Sequence, residues 1–199
     1  MLSNIIFRSA YSQDAPAIAQ LTLDASGGIL EFLFAKLVEG MTAEEILAAA
    51  IAEAEGNLSY RNTIVAEKEA SVIAIANSCS AIKHRITKEM RDFIPQERLV
   101  VLEDFFASRV NDSLLLNALS VKSEYRRQGI GKRLIEEVKQ KARAEGFASV
   151  SLIVWTDNLP AINLYSSLGF EEIKQIEIGF HPAITHQEGA KLMNCLILD

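Results

Sequence analysis

Arg126-Arg127-Gln128-Gly129-Ile130-Gly131-Lys132 separates an apolar run, Leu114 to Val121, from a segment of helical periodicity that opens at Ile130. A strand, a loop with two closely spaced glycines and a helix start form a cradle for phosphate, because backbone N–H groups converge there with the positive end of the helix dipole. Arg126, Arg127 and Lys132 add positive charge around it. The loop therefore predicts a phosphorylated ligand. Spacing removes two common phosphate loops. A P-loop ending at Gly131-Lys132 requires glycine at position 126 and serine or threonine at 133, where this chain has Arg126 and Arg133. A dinucleotide fingerprint opening at Gly129 requires glycine at position 134, which is Leu134.

Downstream, Ile130, Leu134, Val138 and Ala142 recur at helical spacing and Gly146 supplies a C-terminal stop, so a core-facing helix is predicted over about 130–145. Ala148 to Trp155 reads as a buried strand, and Asp157-Asn158-Leu159-Pro160-Ala161 opens another helix. Arg126-x-x-Gly129-x-Gly131 resembles the Arg/Gln-x-x-Gly-x-Gly/Ala signature of the GNAT N-acetyltransferase superfamily. Asn158-x-x-Ala161-x-x-x-Tyr165-x-x-x-Gly169-Phe170 resembles that superfamily's second signature, at the expected place one strand after the first. The two signatures in order, with the elements between them, cover Leu114 to Phe170 and make the resemblance specific.

The resemblance implies a mixed α/β (α+β) GNAT fold. Its central sheet is mixed, mostly antiparallel and twisted, with about six or seven strands, helices on both faces and two splayed parallel strands. It implies acetyl-coenzyme A as cosubstrate, with the pyrophosphate on the glycine loop. The expected coenzyme contacts are the backbone of Leu119, Ser120 and Val121; the loop residues Arg126, Arg127, Gln128, Gly129, Ile130, Gly131 and Lys132; and Asn158, Ala161 and Tyr165 on the last helix. Asn158 is also placed to cap that helix, and the two roles are compatible.

At 199 residues with 49% hydrophobic content, one domain spanning residues 1–199 is expected, with a coenzyme-binding core at about 114–170. No run of about eighteen apolar residues occurs and no basic segment precedes a long apolar core, which predicts a soluble, cytoplasmic protein with neither membrane span nor signal peptide. A net charge of −6 and a pI near 5.2 argue against a nucleic-acid binder, which needs a basic surface. Cys79 and Cys195 lie in apolar runs and read as reduced core residues. Neither they nor His84, His181 and His186 show ligand spacing, so no metal is expected.

Before the core, a short strand at Ile5 to Arg8 leads to a helix capped by Asp14 and opened by Pro16, reaching about Asp24, where Gly27-Gly28 breaks it. A second helix is predicted over 29–38. A third opens on the capping box Thr42-Ala43-Glu44-Glu45 and runs to Gly56. Asn62 to Glu67 and Ser71 to Ala81 read as strands joined by a tight turn. The connection over 82–112 is too long to lack structure and is predicted to contain a helix starting near Pro95, placed over the acceptor site, at a subunit interface or simply on the sheet edge. Phe170 to Ile178 and Lys191 to Leu198 are predicted strands. In the resembled fold this hairpin, with His181 and His186 in its loop, lies beside the acceptor.

Acetyl transfer to an amine needs a neutral nucleophile, stabilisation of the negative charge that develops on the thioester oxygen, and a proton for the departing thiolate. The phenol of Tyr165, with a reference pKa of about 10 against about 8.5 for a thiol, suits the last role, and the resemblance puts the general acid there. Backbone N–H groups of the strand through Ala118 to Val121 suit the second. For the base, many family members carry a glutamate on that strand, but Leu114-Leu115-Leu116-Asn117-Ala118-Leu119-Ser120-Val121 holds no carboxylate. Glu103 or Asp104 in the insert, or Glu31, are the substitutes the sequence offers, unless an acceptor of low pKa needs no base. The expected function is an N-acetyltransferase acting on a primary amine of a small molecule or peptide. A non-catalytic acyl-coenzyme-A sensor or interaction module is the alternative. Dimers are common among similar proteins, which leaves a homodimer open.

Overall fold

A computed structural model describes residues 4–186 and 188–197. Seven strands form one sheet: β1 (Ile6–Ser9), β2 (Thr63–Lys68), β3 (Ser71–Ser80), β4 (Ser113–Val121), β5 (Ser149–Trp155), β6 (Glu171–Ile176) and β7 (Ala190–Leu196). Their order is β1-β2-β3-β4-β5-β7-β6, antiparallel throughout except for the β4–β5 pair. This is the mixed, mostly antiparallel sheet expected from the signatures. The final strand inserts between β5 and β6, and Leu198, at the end of the predicted strand, lies outside the described residues.

Strand alternation divides the core. Val150, Leu152 and Val154 join one cluster, packed with Ile130, Leu134, Ile135 and Val138 of α7 (Ile130–Ala144). Ile153 and Trp155 join another, with residues of α2 (Ile29–Phe34) and of the insert. A third cluster joins α1 (Ala15–Ser26) and α3 (Ala43–Ala52) to Val65, Val72 and Ile75. Cys79 and Cys195 are buried and free, and burial pushes the Cys79 thiol up to about 11.

Several boundaries differ from the sequence reading for tertiary reasons. The second helix stops at Phe34 instead of continuing to Val38, because Ala35 (ψ 118°) and Lys36 (φ 52°) leave helical geometry. A guanidinium from the insert completes the stop, as Arg98 Nη1 donates to the Leu33 carbonyl at 2.9 Å. The capping box at Thr42 and Glu45 is present, but its helix ends at Ala52, where the Glu53 carbonyl accepts from the Ser59 hydroxyl at 2.6 Å. The insert holds three short helices, α4 (Lys88–Phe93), α5 (Gln96–Val101) and α6 (Glu103–Ala107), where one was predicted. Fully buried Leu102 makes the bend between the last two. The last helix before β6 is α8 (Leu159–Ser167).

Asp14 stands at the start of α1, yet its carboxylate does not cap that helix. It accepts the Tyr11 amide at 2.8 Å and both Nη groups of Arg8 at 2.7 and 3.1 Å, while Arg8 also reaches Glu67 on β2 at 2.6 Å. Hydrogen bonding to Arg8 holds the Asp14 carboxyl below the usual carboxylate range against the opposing effect of desolvation. A depressed carboxylate stabilises the fold above its unfolded pKa, about 3.9, and loses that contribution as pH falls through the lower folded value. Asp14→Ala should therefore cost about 1–3 kcal/mol in urea unfolding at pH 7, with the gap to the native chain closing on acidification below about pH 4.

Candidate active site

The site begins where the parallel pair comes apart. β4 pairs with β5 only from Ser113 opposite Ser149 to Leu116 opposite Leu152. On its other edge a register shift between Asn77 and Ser78 leaves Asn117 as the extra residue of a bulge, after which β4 continues along β3 through Ala118 to Val121. β5 follows β7 to Trp155. Beyond Leu116 the facing edges of the two parallel strands thus have no sheet partner, and the gap opens into a cavity of about 1070 Å³. Leu119 and Val121 rest partly buried against the α7 cluster, so their side chains face the core.

One end of the cavity is the glycine loop. Arg127 (φ 59°) and Gly129 (φ 83°) both take left-handed backbone, turning the chain so that α7 starts at Ile130 with no side chain capping it. The first amides of that helix have no intrahelical acceptor and point outward with the helix dipole. A Cβ built on Gly129 would meet nothing within 4 Å, so the space in front of the loop is open to a ligand. The cradle fits a pyrophosphate. Arg126 partly serves the loop itself, its Nε donating to the Val121 carbonyl at 2.9 Å.

Nearly all the expected coenzyme contacts line this one cavity: Leu119, Ser120, Val121, Arg126, Arg127, Gly129, Ile130, Gly131, Lys132, Asn158, Ala161 and Tyr165. Gln128 does not, and its amide donates instead to the Glu124 carbonyl at 3.3 Å. Asn158 caps α8, its Oδ1 accepting the Ala161 amide at 3.3 Å, while also facing the cavity. Lys139 of α7 donates to the Leu168 carbonyl at the other end of α8 at 2.7 Å, which ties the second signature to the first. Tyr165 is buried, with its ring 5.7 Å from that of Phe170, and burial pushes its phenol pKa upward, so it holds its proton at neutral pH.

The suggested bases fare differently. Glu103, Asp104 and Glu31 do not line the cavity. Asp104 instead anchors the insert to β6, accepting Lys174 Nζ at 2.5 Å and the Glu177 amide at 3.0 Å, and the Lys174 hydrogen bond holds its carboxyl below the usual range. Glu31 accepts the Ser26 hydroxyl at 2.9 Å. Asn117, Trp155 and His84, which sequence spacing did not single out, also line the cavity, as does His186, which the resemblance places in the hairpin loop beside the acceptor. The Gly27-Gly28 break has a packing reason as well as a conformational one. A Cβ at Gly27 would lie 2.3 Å from Trp155 Nε1 and 2.6 Å from His186 Cδ2, and one at Gly28 would lie 2.4 Å from the Ala183 carbonyl oxygen. Among the described residues no cluster of three or more histidine, cysteine or acidic side chains could hold a metal, and no helix is long and apolar enough to cross a membrane.

Residues 86–170 match the acetyltransferase (GNAT) family. Over this stretch, less than half of its length, the chain is similar to GNAT acetyltransferases. It is 36% identical over 84 residues to the ribosomal protein bS18-alanine N-acetyltransferase of Escherichia coli K12, a match covering 42% of this chain and 56% of that enzyme. The chain thus spans little more than half the length of this curated relative. A solved acetyltransferase structure superposes with a TM-score of 0.71 at 24% identity, over 97% of this chain and 100% of the other. YncA of Salmonella typhimurium, solved with its cofactor acetyl-CoA, superposes with a TM-score of 0.61 at 16% identity, over 99% and 96% of the two chains. The structural likenesses establish the GNAT fold around the splayed strands.

The open space before Gly129 makes the loop testable. Gly129→Ala should lower stability by about 1 kcal/mol through its left-handed φ and weaken coenzyme A binding in calorimetry. Gly129→Glu, which adds bulk and like charge, should abolish that binding; retained affinity would refute the cradle.

Proposed function

We propose that the chain is an N-acetyltransferase that moves acetyl from acetyl-coenzyme A to a primary amine of a small molecule or peptide, by direct attack while both substrates are bound. The observation that carries this reading is a single cavity running from the open glycine loop, past the unpaired edge of β4, to the buried phenol of Tyr165. Bound coenzyme would supply an acetyl thioester.

The chain's own groups divide the remaining work. The first-turn amides of α7, with Arg127 and Lys132 beside them, would hold the pyrophosphate. Unpaired backbone groups of Ala118 to Val121 would take the place of a sheet neighbour for the amide-bearing arm and offer N–H donors to the carbonyl oxygen as charge develops on it. Tyr165 keeps a proton on its phenol oxygen for the departing sulfur. The relative that acetylates an alanine of a ribosomal protein supports a peptide amine as one acceptor class, and the apolar far wall, with Met90, Ile94, Phe105 and Phe106, gives room for the group that bears the amine.

Tyr165→Phe should reduce turnover by about 10²–10⁴-fold and leave coenzyme affinity, measured by calorimetry, nearly unchanged. Unaltered turnover would remove the phenol from the reaction. Amino acids, polyamines, aminoglycosides and peptides with free N-termini, screened by release of free coenzyme A thiol, should reveal the acceptor. Tight coenzyme binding with no transfer to any class would point to a binding module instead.

A further inference from the structure

His186 lies in the loop between β6 and β7 and lines the same cavity as Tyr165 and the unpaired edge of β4. Its Nδ1 is 2.6 Å from Asp157 Oδ1 and 2.8 Å from Oδ2. Its ring is stacked on Trp155, with centroids 4.7 Å apart and planes 19° from parallel. A carboxylate can only accept, so Nδ1 carries hydrogen and, in the neutral ring, Nε2 keeps its lone pair. The loop is pinned from the opposite side, since the Thr185 amide and hydroxyl donate to the Gly27 carbonyl at 3.3 and 3.1 Å. The absence of a side chain at Gly27 is what leaves room for the imidazole edge. The His186 side chain remains 27% exposed, so the ring is held on three sides and still reachable from the cavity.

We infer that His186, oriented by Asp157, is the general base that takes the proton from the acceptor amine. This rests on the acetyltransferase reading above and supplies the group that β4 lacks. An α-amino group has a pKa of about 7.7–8.0 and a lysine amine about 10.4, so either arrives mostly protonated at neutral pH. One ammonium proton passes to His186 Nε2, and the Asp157 carboxylate stabilises the imidazolium so formed. The freed nitrogen forms its bond to the carbonyl carbon as the carbon–sulfur bond breaks, and the sulfur leaves with the proton of Tyr165. The second nitrogen proton restores the phenol through water, and His186 gives its proton to solvent, so one proton is released per turnover.

The other histidine on the cavity wall is a poorer base. His84 is enclosed by Phe105 and Phe106, its Nε2–H donates to the Phe105 carbonyl at 2.9 Å, and burial lowers its pKa with no paired carboxylate to hold a charge. The proposed acid and base line one cavity and stand on adjoining elements: Asp157 ends the turn after β5, and Tyr165 rides on the helix that starts two residues later.

The test compares an alanyl peptide, protonated at about pH 6.5, with hydroxylamine, whose nitrogen is already neutral there, in the full chain and in His186→Gln and Asp157→Asn. His186→Gln should lower kcat/KM for the peptide by about 100-fold or more and for hydroxylamine by less than about threefold, with coenzyme affinity unchanged. Asp157→Asn should fall in the same direction, and the double variant should be no worse than His186→Gln, because the two residues act as one unit. Equal losses with the two amines would reduce His186 to a packing role and overturn the base, as would full peptide activity in His186→Gln. A native chain that binds acetyl-coenzyme A and acetylates neither these two amines nor any class of the acceptor screen would sink the transferase reading itself, and the base with it.

Discussion

The parting of β4 from β5 is the constraint on which the site depends. Two parallel strands that stayed paired to their ends would satisfy each other's backbone and leave nothing for a ligand to bind. Here pairing stops at Leu116 and Leu152, and the bulge at Asn117 turns β4 along β3 while β5 keeps to β7. Backbone groups left open inside a protein are costly unless something completes them, and a ligand bearing amides can do so. Specific side chains matter little along that edge, which explains how Ala118 to Val121 can be apolar or small and still form the centre of a binding cleft.

The sheet would not hold this gap without buttresses on its flanks. The α7 helix covers one flank with Ile130, Leu134 and Val138, and its Lys139 fixes the end of α8 through the Leu168 carbonyl. Elsewhere, Arg98 from the insert closes α2, and Lys174 with Asp104 fastens the insert to β6. Asp104 illustrates how an acidic residue near a site need not take part in its chemistry. Its carboxylate is consumed by an ammonium, a hydroxyl and an amide, all of which favour its charged form and leave it a weak proton acceptor.

Much of the architecture was legible from short-range pattern. The glycine loop, the periodicity of Ile130 to Ala142, the cap at Asn158 and the capping box at Thr42 are set by neighbours a few residues apart, and each stands where its spacing put it. The ends of α2 and α3 were not legible in this way, because Arg98 and Ser59 close them from elsewhere in the chain or the next loop. Asp14 also departed from its local reading. Proximity to a helix start suggested a cap, and a cation on β1 claimed the carboxylate instead.

A glycine loop opening a helix, followed one strand later by Asn158 to Phe170, is readable in the chain alone, because those features are built from consecutive backbone and side chains. The wall of the cavity around His186 is set by tertiary contacts instead. Gly27, the Trp155 to Asp157 corner and His186 come from three separate stretches, and nothing in their spacing announces that they meet. They meet because α1 ends against the β6–β7 loop, with Thr185 bonded to Gly27 across 158 residues of sequence, and because a glycine is the one residue small enough to let the indole and imidazole lie where they do.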